Sequence, residues 1–375
     1  MTLITFNKID LLHALAELST VVPKKSADYP VCKFVAVTFK DDTVVLTGTN
    51  SRIQVSIKVD AKYIKTPNNF LFHFDKVYTI LKRCKDTNKI TFDLQYENQI
   101  AVLLDNLNAR YKINNMSYDK FIWLQSEKLD YIKTLRCATI FSSLSKVLHA
   151  TTCDPMSKPV LRGVHIMVGM SGMAVAATDG HRLAAFRSAD ENLQEKDNKR
   201  VVIPVDAGQM VTKICANYQD ADVTIGFNQS TFKAVVDRVQ VVFRLQDAIY
   251  PELIKTIPKD TEHCVSINRQ ELLNALKTLN TIVLDDKFKR CTLDFAKNSL
   301  LLSATNTMKE TGEVGFEVEG IDVDMSISLN HTFILDAVSS FEGENILVAF
   351  SDPMKAVKLS EGNDNMQVNV IMPLR

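Results

Sequence analysis

Apolar and polar residues alternate with a period of two in three places along the chain, each time on both sides of a short turn. The clearest copy is Val160 to Ser188, VLRGVHIMVGMSGMAVAATDGHRLAAFRS. It reads as a strand, a Gly-Met-Ser-Gly turn, a second strand and then Thr-Asp-Gly-His-Arg-Leu, which predicts a β-hairpin. Aligned on a threonine followed by Asn or Asp, the copies are Thr49-Asn50, Thr178-Asp179 and Thr305-Asn306. They lie about 130 residues apart, so the repeating unit is a domain and not a solenoid turn. Three and five residues before each threonine stand Leu46 and Val44, Val175 and Met173, Leu302 and Leu300. Ten and twelve before it stand Phe39 and Val37, Val168 and Ile166, Phe295 and Leu293. One apolar face thus recurs in register, as it must if three copies pack the same core.

The flanks repeat as well. A helical pattern precedes each hairpin, over Lys8 to Val22, Thr134 to His149 and Arg269 to Ile282. In the third, Leu272, Leu276, Leu279 and Val283 form a stripe at three- and four-residue steps. A second short helix follows each hairpin, over Asp75 to Cys84, Asp206 to Ala216 and His331 to Phe341. Two further strands close a unit, as in Lys89 to Leu94 with Gln99 to Leu104, and Asp222 to Phe227 with Phe232 to Val236. Linkers fall near Asn114 to Leu124 and Ala248 to Pro258, with similar aromatic and acidic turns. The pattern predicts three homologous α+β domains, 1–124, 125–257 and 258–375, each with two helices on antiparallel sheets.

Composition changes this picture little. The 375 residues have the apolar and charged fractions of an ordinary globular chain. The 44 basic side chains equal the 44 acidic ones, so no net charge drives the whole chain onto nucleic acid or membrane. A local basic face stays open. The 7 cysteines are scattered, with no CxxC pair, and read as buried reduced thiols of a cytoplasmic protein. The start lacks a charged region followed by an apolar run, and no apolar run is long enough to span a membrane.

Chemistry-bearing motifs are scarce. There is no GxGxxG after a strand, no GxxxxGK[ST] and no HExxH, so neither a cofactor nor a metal is expected. The GMSG turn lacks the GxSxG spacing. Asp179, His181 and Arg182 are the one cluster that looks catalytic, but no nucleophile or second acid accompanies them. A hydrolase reading would need turnover that His181→Ala abolishes. The expectation is a non-enzyme.

Several stretches taken together resemble one family. TDGHRLA after a strand, PVLRG before that hairpin, YPELIKTIP in a linker, NHTFILDAVSSF, FSDPMKAVKL and a terminal VIMPLR are arranged as in the bacterial sliding clamps, the β subunits of replicative DNA polymerase III. The resemblance spans the whole chain in order. It implies a head-to-tail homodimeric ring that encircles duplex DNA without reading sequence, and tethers the replicative polymerase after a clamp loader has mounted it.

It further implies basic residues facing phosphate: Lys24 and Lys25 after the first helix, Lys82 and Lys213 in two second helices, and Lys158 before PVLRG. A peptide-binding cleft between domains 2 and 3 would draw Leu161, Thr178, Gly180, His181, Arg182 and Leu183 from the central stretch. Pro251, Lys255 and Thr256 would come from the linker, and Asn330 and Phe333 from the last second helix. Met354, Ala356, Val370, Met372, Pro373, Leu374 and Arg375 would complete it. Lys255-Thr256 departs from the family's Arg-aliphatic pair, and the chain is neutral where these clamps are commonly acidic. Such divergence fits a phage- or plasmid-borne member. The dimer contact would pair the edge strand bearing Arg110 and Ile113 with Ile282 and Val283. The alternative is a peptide-binding scaffold on the same fold that does not encircle DNA.

Overall fold

A computed structural model describes the chain except residues 1–2, 24–28, 41–42, 64–66, 85–86, 97, 106–108, 125–127, 155, 170–171, 189–198, 246–255, 260, 363–365 and 375. The first repeat runs β1 (Leu3–Asn7), α1 (Lys8–Leu18), β2 (Phe34–Lys40), β3 (Thr43–Thr49), β4 (Ile53–Val59), β5 (Ala61–Tyr63), β6 (Phe70–His73), α2 (Phe74–Arg83), β7 (Lys89–Asp93), β8 (Gln99–Leu104) and β9 (Ala109–Asn114). The second runs β10 (Tyr131–Arg136), α3 (Cys137–Ser145), β11 (Gly163–Val168), β12 (Met173–Thr178), β13 (Arg182–Arg187), β14 (Lys199–Pro204), α4 (Val205–Asn217), β15 (Asp222–Phe227), β16 (Thr231–Val236) and β17 (Val239–Arg244). The third runs β18 (His263–Asn268), α5 (Arg269–Val283), β19 (Arg290–Ala296), β20 (Ser299–Thr305), β21 (Thr311–Glu317), β22 (Met325–Asn330), α6 (His331–Ser340), β23 (Asn345–Phe350), β24 (Val357–Ser360) and β25 (Gln367–Ile371).

The expected hairpin faces are present as cross-strand pairs. Val37 faces Leu46, Ile166 faces Val175 and Leu293 faces Leu302. All six of these side chains are buried. The helical stripe Leu272, Leu276, Leu279 and Val283 is buried along α5. Local chemistry sets the helix starts. Asn7 and Asn268 stand just before α1 and α5, and each side-chain oxygen accepts two backbone N–H groups of the first turn.

The ends of two helices differ from expectation. α1 stops at Leu18, because the Ser19 and Thr20 hydroxyls donate to the carbonyls of Ala16 and Glu17 and turn the chain. The helix expected over Thr134 to His149 begins only at Cys137 and ends at Ser145, with a separate short turn over Leu148–Ala150. Before Cys137, Tyr131–Arg136 alternates half-buried and exposed residues and pairs antiparallel with β15. The sequence reading also missed the strand that follows each threonine turn: β4, β13 and β21.

By contact the chain divides into two compact units, residues 1–138 with 213–245 and residues 139–212 with 246–375. The first holds a five-stranded sheet, β5-β1-β7-β8-β9, and an eight-stranded one, β10-β15-β16-β17-β4-β3-β2-β6. The second holds an eight-stranded sheet, β14-β11-β12-β13-β25-β24-β23-β18, and a four-stranded one, β21-β20-β19-β22. Each eight-stranded sheet is two half-sheets from successive repeats, joined by the overlooked strand: β4 to β17 and β13 to β25. Among the described residues no helix is long and apolar enough to cross a membrane. Of the cysteines, Cys32, Cys137, Cys215 and Cys291 are buried, but Cys153 and Cys264 are exposed, against the expectation for those two.

Candidate functional site

The second joint gathers most of the expected cleft. It begins with the turn after β12. Thr178 Oγ1 donates to the carbonyl of Arg182 at 2.6 Å and accepts the N–H of Gly180 at 3.1 Å. Asp179 Oδ1 accepts the N–H groups of His181 and Arg182 at 2.9 and 3.0 Å. Gly180 sits at φ +93°, a left-handed conformation that a side chain would strain. The Thr-Asp-Gly order is thus the chemistry of a tight turn that launches β13. The bonds of Asp179 make it a turn organiser, and His181 is exposed with no acid or nucleophile set against it among the described bonds.

β13 then presents Arg182 and Leu183 opposite Ile371 and Val370 of β25. Leu183, Val368 and Val370 form a small apolar cluster, with the half-buried Ala176, Ile257 and Ala356 packed on it. Leu161 lies beside the turn, its Cδ1 3.9 Å from where a Cβ on Gly180 would stand. The C-terminal segment is stitched down on both sides. Met372 N–H donates to the His181 carbonyl at 2.9 Å, and Leu374 N–H donates to Ser328 of β22 at 2.8 Å. Pro373 lies half-buried between them, while Met354 and Met372 are 60% and 48% exposed, two flexible apolar side chains on the rim.

Asn330 has a structural task. Its Oδ1 accepts the N–H groups of Thr332 and Phe333 and so caps α6. The cap fixes Phe333, whose ring lies 4.3 Å from the Arg182 guanidinium carbon. Arg182 Nε donates to Asp179 Oδ2 at 3.0 Å and its Nη1 to Asp336 Oδ2 at 2.6 Å. Beneath this ion group His149 Nε2 lies 2.9 Å from Asn369 Oδ1, and Asn369 and Gln367 both donate to the Ser340 hydroxyl. Burial and then the nearby Arg182 charge depress the His149 pKa to about 4, so the ring is neutral at neutral pH. Sequence reading missed Asp336 and this polar network. For Asp336 a signal existed, since it stands three residues after Phe333 on the same face of a helix.

Thr256 is exposed. Pro251, Lys255 and Arg375 of the expected cleft lie outside the described residues, as do Lys24 and Lys25. Lys82, Lys158 and Lys213 are exposed, and Lys82 Nζ sits 4.3 Å over the Tyr78 ring. Arg110 is exposed on β9, tied to the fully buried Asp93 at 2.9 Å. Ile113 and Val283 are buried within the chain, 5% and 0% exposed, while Ile282 is half-buried. Among the described residues no group of three or more His, Cys, Asp or Glu could hold a metal ion.

Comparison with known proteins accounts for the whole chain. Family models of the N-terminal, central and C-terminal domains of the DNA polymerase III beta subunit match residues 2–125, 139–252 and 254–375. The beta sliding clamp of Bacillus subtilis (strain 168) is 26% identical, over 98% of this chain and 96% of its own. That of Staphylococcus aureus (strain Mu50) is 25% identical, over 98% and 95%. In fold, the crystal structure of the DNA polymerase III subunit beta from Pseudomonas aeruginosa matches with a TM-score of 0.91 at 20% identity, over 100% of both chains. Another structure of the clamp from that organism holds griselimycin, with a TM-score of 0.90 at 20% identity over 100% of this chain and 99% of that one. Three repeated domains, matched in order from end to end, establish that the chain belongs to the bacterial beta sliding clamp family, the non-catalytic processivity subunit of DNA polymerase III.

Proposed function

We propose that two copies of this chain close head to tail into a ring around duplex DNA, with repeats 1–124, 125–257 and 258–375 as its domains. The sheet topology is the observation that carries this reading. In both joints within the chain, the fourth strand of one repeat pairs with the last strand of the next: β4 with β17 and β13 with β25. The same rule leaves β9, the last strand of the first repeat, and β21, the fourth strand of the last, as unpaired sheet edges. Unpaired edges are a liability that pairing between chains removes, and a heterologous contact is finite only when it closes a ring. Charge supports the match: β9 exposes Arg110 and Lys112, and β21 exposes Glu313 and Glu317. Arg110 and Ile113 lie on β9, while Ile282 and Val283 end helix α5, where the Ile282 side chain lies against Gly312 of β21.

The exposed Lys82, Lys158 and Lys213, with Lys24 and Lys25, serve as weak phosphate contacts, so that topology holds the ring on DNA while it slides. The cleft around Leu183 and Val370 receives short peptides of the polymerase and the clamp loader, an apolar groove with a few directed polar groups. The protein works in the cytoplasm. The experiment is retention on DNA with a clamp loader present. Nicked circular plasmid should hold the protein, and linearising the plasmid should release it. Equal retention on both would overturn encirclement and leave a peptide-binding scaffold.

A further inference from the structure

We propose that Asp336 is a positioning residue of the cleft, holding Arg182 as a fixed hydrogen-bond donor for a main-chain carbonyl of the docked peptide. This rests on the peptide-cleft reading and adds a residue to it. Arg182 starts on β13, in the second repeat, whereas Asp336 stands on α6, in the third. The 2.6 Å bond between them therefore crosses the joint. Asp179 takes Nε from the other side at 3.0 Å, and the Phe333 ring supports the guanidinium plane at 4.3 Å. Asp179 is itself pinned by two backbone N–H groups, and Phe333 by the Asn330 cap. Asp179 is thus anchored by its own turn, and Phe333 and Asp336 by the capped helix α6 that carries both.

Two consequences follow for a ligand. The side chains of Arg182 and Asp179 are each 11% exposed and that of Asp336 is 35% exposed, so the arginine is held in place without being sealed from solvent. A guanidinium has five N–H donors, and two are engaged in the bonds described, which leaves donors for a partner. A long arginine side chain otherwise loses rotamer freedom when it binds, and clamping it beforehand removes that cost from the binding step. In addition, one positive charge faces two carboxylates. The subsite therefore offers directed donors and no net positive charge, which suits a neutral carbonyl better than an acidic side chain.

Griselimycin binding to the full-length protein, measured by calorimetry at 50 and 500 mM salt, tests this. Asp336→Asn should weaken binding about tenfold, as the loss of a charge-assisted support does. Asp336→Glu should restore binding to within about threefold, because it returns the carboxylate. In an Arg182→Ala background Asp336→Asn should add nothing, and the wild-type affinity should change less than about twofold with salt. Full affinity in Asp336→Asn, or an additive loss in the Arg182→Ala background, would overturn the positioning role while leaving the cleft in place. Failure of the wild-type protein to bind would remove the cleft reading and this proposal with it.

Discussion

His149 shows how much of the site's behaviour is decided by single side chains. Burial first, and the Arg182 charge second, bring its pKa down from an ordinary 6.5 to about 4. His165, on β11, is held to about 4 by burial and by Arg200. Between pH 6.5 and 4 the unfolded chain binds the protons that these folded rings refuse. Their contribution to stability is thus complete above pH 6.5 and is lost as pH falls toward 4. For His149 the effect is about 2 kcal/mol. The melting temperature should fall by several degrees between pH 6.5 and 4.5, and His149→Gln should fall about 3 °C less. Equal falls would mean that the ring protonates freely in the folded state. None of this was legible in the sequence, where His149 is one residue of a predicted helix. The Thr178–Arg182 turn was legible, because hydroxyl, carboxylate and glycine each have one task there and their order is itself the signal.

At the scale of elements, the two joints are copies with different fillings. Thr49 Oγ1 donates to the Ile53 carbonyl as Thr178 Oγ1 does to that of Arg182, and Asn50 caps the turn as Asp179 does. Ser51 even occupies the left-handed position of Gly180, at φ +75°. The next residues diverge. Where the second joint has Arg182 and Leu183, the first has Ile53 and Gln54. Gln54 is buried, and its Oε1 accepts the N–H of Leu124 at 3.0 Å. The linker thereby lies fastened into the first joint, with Phe121 packed on Val31, Phe34, Ala36 and Leu71. Gln54→Leu would leave a buried N–H without its acceptor, a cost of about 1–3 kcal/mol. Thermal unfolding should show a loss of several degrees. Hairpins and helices could be read from periodicity because each packs against its own neighbours in sequence. The joints could not, since β4 and β13 take partners from another repeat and β10 looks helical until it is paired.

For the whole molecule the decisive question is what covers β9 and β21. Ile282 connects both parts of the proposed contact on the third repeat. It packs on that repeat's core, and its Cγ1 lies 3.2 Å from where a Cβ on Gly312 of β21 would stand. Glycine at 312 thus lets the edge strand approach the end of α5 closely. Ile282→Arg puts a charge where that strand rests and where the second copy would arrive. Desolvating it costs several kcal/mol, enough to weaken association more than about a hundredfold. Sedimentation should then show monomers at micromolar concentration, while the melting temperature changes by only a few degrees. Reversing the acidic edge with Glu313→Lys and Glu317→Lys is milder, because exposed pairs contribute little each. It should weaken the dimer about tenfold, and the weakening should shrink as salt screens the like charges now facing Arg110 and Lys112. If Ile282→Arg sediments as wild type does, the edges close on something else. If the reversed edge behaves the same at every salt concentration, strand pairing and apolar contact alone hold the ring, and the opposed charges of β9 and β21 play no part in its closure.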